Sequence, residues 1–249
     1  MAGFVIYLCA YVIITNNSTP SNYTQNWGGY VVYTAENITS ISANWNVPAL
    51  ESSNNSFVAT WIGIGGASSN GNVTLIAKEI DSGNVVSTTS ENALIQVGIL
   101  SQGIGNSSQY HVFIETLPQP VTYYNQFQIK AGDNISASIN LISYHLWQVK
   151  IENLNTGQSI NEDISYLTNE TTAEWIVEKP YSGSNFKLVN MANFNTIYFK
   201  NMSVSVNGNN ENICNSGATE MTLISGYEIP SSGLSPVFIN CSSFSFSNP

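Results

Sequence analysis

A chain of 249 residues with 43% hydrophobic and 11% aromatic content can fill one large core, which excludes wholesale disorder. Only 9% of its residues are charged, against roughly 25% in an ordinary soluble domain. Six lysines, no arginine and sixteen carboxylates leave a net charge of −10, which argues against a nucleic-acid partner, since that needs clustered Lys and Arg.

The low charge also bears on pH. Acid denaturation arises largely when carboxylates that are paired in the native state become protonated. A chain with few ion pairs has little of that stability to lose. Its polarity rests on Ser, Thr and Asn, which do not titrate, so acid adaptation is expected. An acidic extracellular protein explains the pI near 4.4 equally well, but not the scarcity of charge.

The first element in chain order is the apolar run Ala2 to Ile14, followed by the polar Thr15-Asn16-Asn17-Ser18-Thr19-Pro20. Thirteen residues are too short for a bilayer span, which takes about 20, but they suit a signal-peptide core. Residues 1–20 are therefore expected to be a leader or anchor, the alternative being a first strand. Residues 21–249 are expected to form a single domain that is exported and has no stable membrane span. Cys9 lies in the leader, and Cys214 and Cys241 remain as a pair able to form one disulfide in an oxidising compartment. Asn-X-Ser/Thr sequons recur from Asn16 to Asn240 and fit a glycosylated exported protein.

Beyond the leader, short segments rich in Val, Ile, Thr, Tyr and Phe alternate with Gly, Asn, Ser and Pro clusters. Strands are expected at Gly29–Tyr33, Ser40–Trp45, Phe57–Ile64, Ala93–Ile99, Tyr110–Thr116, Asn134–Ile142, Trp147–Leu154, Glu174–Glu178, Thr196–Val206, Thr219–Ile224 and Phe238–Phe246. Turns are expected at Asp81-Ser82-Gly83-Asn84, Gly132-Asp133-Asn134, Asn155-Thr156-Gly157 and Asn207-Gly208-Asn209-Asn210. About a dozen strands at this spacing predict an all-β, antiparallel two-sheet sandwich.

Successive side chains of a strand point to opposite faces, so alternation sorts core from non-core. Ile95, Val97 and Ile99 share one face and Gln96 the other. Val112 and Ile114 oppose His111, Phe113 and Glu115. Val58, Ile62 and Ile64 oppose Trp61. Trp175 and Val177 oppose Glu174 and Glu178, which are expected to point outward. If these strands are neighbours, Trp61, Gln96, His111, Phe113, Glu115 and Glu178 line a groove.

These segments carry a family resemblance. Asn26-Trp27-Gly28-Gly29, Ser42-Ala43-Asn44-Trp45-Asn46-Val47-Pro48 and Trp61-Ile62-Gly63-Ile64-Gly65-Gly66 come first. Ala93-Leu94-Ile95-Gln96-Val97-Gly98, Tyr110-His111-Val112-Phe113-Ile114-Glu115, Glu152-Asn153-Leu154-Asn155-Thr156-Gly157-Gln158 and Ala173-Glu174-Trp175-Ile176-Val177-Glu178 follow. In this order the sequence resembles the glutamic peptidases known as eqolisins, fungal acid endopeptidases of the scytalidoglutamic peptidase type. The resemblance implies a sandwich of two seven-stranded antiparallel sheets, concanavalin- or jelly-roll-like, with substrate on one concave face. It implies Glu178 and Gln96 as the catalytic pair, with Trp61, His111, Phe113 and Glu115 lining the groove and Glu174 in a structural role. Polypeptide substrates and a monomer are expected, with no cofactor and no metal.

The sequence departs from the family in places. Gly65 stands where the family has Asp after its W-[VI]-G-I segment. His111 replaces another Asp, and Phe113 replaces the groove tryptophan. The family's disulfide beside the W-[VI]-G-I-D-G loop is absent; the fungal enzymes carry a long propeptide where 25 residues precede Asn26 here, so the expectation is either a different activation or an incomplete N-terminus. Other chemistries lack their signatures: there is no G-x-S-x-G elbow, no H-E-x-x-H and no Cys/His cluster. Two readings compete with the peptidase. One is a jelly-roll glycosidase using Glu115 and Glu178 across the groove. The other is an inactive glycan-binding sandwich domain.

Overall fold

A computed structural model describes residues 6–7, 22–51, 55–67, 93–182, 187–224 and 233–248. The first half contains β1 (Ile6–Tyr7), β2 (Tyr23–Thr24), β3 (Trp27–Tyr33), β4 (Ile38–Asn46), β5 (Ser56–Gly65), β6 (Leu94–Ile104), β7 (Ser107–Thr116) and β8 (Thr122–Tyr123). Next come β9 (Asn134–Ser143), β10 (Leu146–Asn153), β11 (Ser159–Ser165), β12 (Thr172–Glu178), β13 (Tyr181–Ser182), β14 (Lys187–Leu188) and β15 (Asn190–Met191). The last are β16 (Phe194–Val206), β17 (Asn209–Glu211), β18 (Thr219–Leu223), β19 (Val237–Asn240) and β20 (Ser243–Asn248). No helix occurs among the described residues.

Two large sheets face each other. One runs β11-β10-β9-β4-β16-β20-β19, with β17 beside β16. The other runs β2-β18-β3-β12-β5-β6-β7-β8, with β15 beside β5. Their neighbours are antiparallel except for the short pairs β2–β18 and β15–β5, which are parallel. Counting every short strand among the described residues, the sheets have eight and nine strands, where the resemblance implies seven each. The surplus comes from pieces of two or three residues at edges and crossovers, such as β2, β8, β15 and β17.

The main core lies between the sheets. Ile41, Ala43, Trp45, Ile135, Ile139, Trp147, Val149 and Phe199 come from one side, and Val58, Ile62, Ile95, Val97, Val112, Trp175 and Val177 from the other. The residues of the second group are those that period-2 alternation selects as core. Every predicted strand within the described residues has a counterpart, with two differences. Phe238–Phe246 is two strands, β19 and β20, broken by a turn in which the Asn240 side chain accepts from the Ser242 N–H. Ser159–Ser165 is a strand that no apolar run announces, because this polar edge pairs only with β10.

The Asp81 turn and most of the leader lie outside the described residues. Ile6 and Tyr7 pair with Ser182 and Tyr181 of β13, and β13 pairs with β14 in a separate three-stranded sheet. Cys214 and Cys241 are disulfide-bonded, closing a separation of 27 residues.

Candidate active site

The strands that carry the predicted groove residues are consecutive neighbours, β12-β5-β6-β7. Their register arranges the non-core side chains in rows. One row runs Trp27, Glu178, Ala59, Leu100, His111 across β3, β12, β5, β6 and β7. Two residues along β5, the next row runs Gly29, Ile176, Trp61, Gly98, Phe113 and continues to Tyr123 on β8. The third runs Val31, Glu174, Gly63, Gln96, Glu115. All six predicted groove residues therefore share one face of one sheet.

That face is not open, contrary to the expectation that Glu174 and Glu178 point outward. Gln96, Glu174, Glu178, Trp61 and Phe113 are fully buried, and Glu115 is 2% exposed. The same face carries a second apolar cluster, which includes Trp27, Val31, Phe57, Trp61, Leu94, Leu100, Phe113, Ile176 and Met221. Alternation separates the two faces of a strand correctly, but it does not say which are wet. Only His111 remains half-buried, at the rim, with its ring edge-on to Tyr123 at 5.9 Å.

Within this apolar wall the polar groups hold one another. Trp61 Nε1 donates to Glu178 Oε2 at 2.7 Å, and the Trp27 ring stands edge-on to Trp61 at 4.9 Å. Gln96 Nε2 donates to Glu115 Oε2 at 2.5 Å. Gln96 Oε1 is buried without a hydrogen-bond partner among the described residues. Gly98 makes the Trp61 position possible, because a Cβ there would lie 2.3 Å from the Thr60 carbonyl oxygen and 2.4 Å from Trp61 Cβ. Gly65, one of the departures from the family, has φ +87°, and a Cβ would approach the Ala93 carbonyl oxygen to 2.1 Å. A carboxylate at this position needs a different local backbone.

Electrostatics follow from burial. The Glu115 carboxyl is held well above the ordinary range by desolvation and then by the charge of Glu178, with the Gln96 hydrogen bond pulling the other way. Glu174 is pushed well above the ordinary range by burial, opposed by Thr172 and the Ala67 backbone. Among the described residues no group of three or more His, Cys, Asp or Glu side chains is placed to hold a metal ion.

Two residues beside these groups carry no signal of their own in the sequence. Trp27 gains its place beside Glu178 only from strand pairing. Glu174, expected in a structural role, stands in the Gln96–Glu115 row. Tyr123 belongs to a two-residue strand after Pro118 and Pro120, too short for a periodicity signal.

Comparison with known proteins gives this arrangement a context. Aspergillopepsin-2 of Aspergillus niger is 26% identical over 221 residues, covering 79% of this chain and 70% of the relative. Scytalidopepsin B of Scytalidium lignicola is 23% identical over 235 residues, covering 91% and 80%. The structure of scytalido-glutamic peptidase with a transition state analog inhibitor superposes with a TM-score of 0.68 at 23% identity, covering 90% of this chain and 98% of that one. Aspergilloglutamic peptidase from Aspergillus niger superposes with a TM-score of 0.60 at 23% identity, covering 78% and 99%. These structural likenesses carry the β-sandwich fold. Residues 25–230, which include β3 to β18 and every row of the site, match the Peptidase A4 family, and the chain belongs to that family of peptide-bond hydrolases, the eqolisins.

Proposed function

We propose that the chain is an exported, acid-active endopeptidase in which Glu178 activates water and Gln96 stabilises the oxyanion. The observation that carries the reading is the shared buried face. Glu178 is fixed by the Trp61 indole and Gln96 by Glu115, in the same apolar wall of one sheet.

Amide hydrolysis needs a base, an oxyanion donor and a proton for the leaving nitrogen. Burial and the charge of Glu178 favour a neutral Glu115, and the mechanism assigns the negative charge to Glu178 as the base. Glu178 takes a proton from water as the water oxygen bonds to the scissile carbon. The carbonyl electron pair moves onto its oxygen. One N–H of Gln96 is engaged by Glu115, leaving the second for that oxyanion, while Gln96 Oε1 can accept from the attacking water. Protonated Glu178 then delivers its proton to the departing amine. Gln96 does not titrate and keeps its donor in strong acid, where a histidine base is locked as imidazolium.

Polypeptides are the expected substrates, and the chain acts as a monomer. The Cys214–Cys241 bond suits an oxidising extracellular compartment, and the sequon asparagines Asn37, Asn106, Asn134, Asn201 and Asn240 are exposed and open to glycosylation. The test is digestion of an unfolded protein between pH 1 and 7 by the wild type, Glu178→Gln and Gln96→Ala. Full activity in either variant overturns the mechanism. Because Glu115 and Glu178 are electrostatically coupled across the face, β-glucans belong in the same assay. Their cleavage in place of protein favours the glycosidase reading.

A further inference from the structure

The site holds one more polar group that the Glu178/Gln96 reading does not use. Tyr123 lies on β8, the terminal strand of the nine-stranded sheet, paired with Phe113. Its row lies between the one carrying Gln96 and Glu115 and the one carrying Glu178. The residue as a whole is half-buried, packed against the apolar cluster of this face. Its hydroxyl is fully buried and has no hydrogen-bond partner among the described residues. An orphaned buried hydroxyl costs about 1–3 kcal/mol and calls for an explanation.

The charges of both Glu115 and Glu178 act on the phenol, which places it within electrostatic range of the two carboxyls without bonding to either. Burial and those two charges keep it protonated far above neutral pH. It is thus a poor proton donor and a durable hydrogen-bond donor, in a row that runs between those of the two acids.

We propose that the Tyr123 hydroxyl donates a hydrogen bond to the scissile carbonyl oxygen and holds it as the oxyanion forms, acting with the Gln96 amide. The inference rests on the Glu178/Gln96 reading. As water adds to the carbonyl carbon and its proton passes to Glu178, the displaced electron pair settles on the carbonyl oxygen. Two neutral donors then meet the new charge in a water-poor site, where such bonds strengthen as charge develops. No proton leaves Tyr123 at any step.

The test is Tyr123→Phe, which removes one oxygen and keeps the ring against Phe113 and His111. We expect kcat to fall about 100-fold with KM changed less than threefold, the scale of losing one oxyanion donor. Affinity for a peptide-based transition-state analogue should fall by a similar factor. Thermal stability should hold or rise, because the variant removes a buried polar group without a partner; a purely structural tyrosine would lower it. A kcat/KM within threefold of wild type, or a loss confined to KM, overturns the inference. Wild type and Glu178→Gln run alongside. If wild type cleaves, Glu178→Gln does not and Tyr123→Phe is fully active, only this inference fails. If wild type cleaves no unfolded protein at any pH, both readings fail together.

Discussion

The two large sheets of this molecule have the same kind of strand and opposite surroundings. In the eight-stranded sheet, β4, β9 and β10 alternate buried with half-exposed or exposed positions, so one face meets the core and the other meets water. In the nine-stranded sheet, β5 and β12 are buried at every position. A polar residue on the first sheet's outer face is hydrated and costs little. A polar residue in the second must be held by protein, as Gln96, Glu115 and Glu178 are, or remain orphaned, as the Tyr123 hydroxyl is. The concentration of costly groups on one face of one sheet is what supports the proposal that the chemistry takes place there.

The largest expected effect tests that contrast directly. Glu178→Gln should reduce kcat by about 10²–10⁴-fold, the usual contribution of a general acid–base group. Glu162→Gln, at an exposed position on β11 of the other sheet, should leave kcat unchanged. Equal losses in the two variants would remove the distinction between the sheets.

Packing gives the second effect. Gly98→Ala brings a methyl against the Thr60 carbonyl and the Cβ of Trp61, neither of which is the free end of a flexible chain. We expect a loss of about 1–3 kcal/mol in urea denaturation, the range for overpacked cores. Activity should fall too, because Trp61 positions the Glu178 carboxylate. Ser138→Ala, half-exposed on β9, should stay within about 0.5 kcal/mol. A stable, fully active Gly98→Ala would mean that the sheet can yield at its centre.

The difference between the sheets also explains what the sequence made legible. Trp147-Gln148-Val149-Lys150-Ile151 alternates with period 2 because one face is wet, and its strand is predicted almost to the residue. The face assignments of Gln96, Glu115 and Glu178 were legible for the same reason, since their neighbours Ile95, Ile114 and Val177 are core. The burial of those three residues was not. It depends on a second apolar cluster assembled from β3, β5, β6, β7, β12 and β18, which no single strand reveals. Tyr123 was hidden for a related reason, because its place follows from pairing with Phe113 and not from its own short strand. The catalytic roles proposed for Glu178 and Gln96 rest on motif resemblance, not on periodicity.

The pH dependence of stability is the next effect, and its sign follows from Glu115 and Glu174. Both folded carboxyls lie above their unfolded values, so the native state binds more protons than the unfolded chain once the unfolded carboxyls ionise. The stability they contribute is fully present below about pH 4.3, the unfolded glutamate value, and is lost as pH rises toward their folded values. In that window each acid contributes a slope of up to about 1.4 kcal/mol per pH unit. The melting temperature should therefore be higher at pH 3.5 than at pH 7, and Glu174→Gln should flatten the fall. A melting temperature that climbs steadily from pH 4 to 7 would contradict the burial of these two acids.

The smallest effect belongs to the outer face. Lys150 and Glu152 on β10 make an ion pair at 2.7 Å, with side chains 46% and 29% exposed. Two residues apart on one strand, they share a face and meet in solvent, where the Coulomb gain is offset by ordering a long lysine side chain. Lys150→Ala should change stability by no more than about 0.5 kcal/mol, and less in 0.5 M salt. A loss above about 1.5 kcal/mol would mean that this sheet's wet face carries stability of the kind assigned here to the buried one. The two sheets would then differ in chemistry and not in how they are held together.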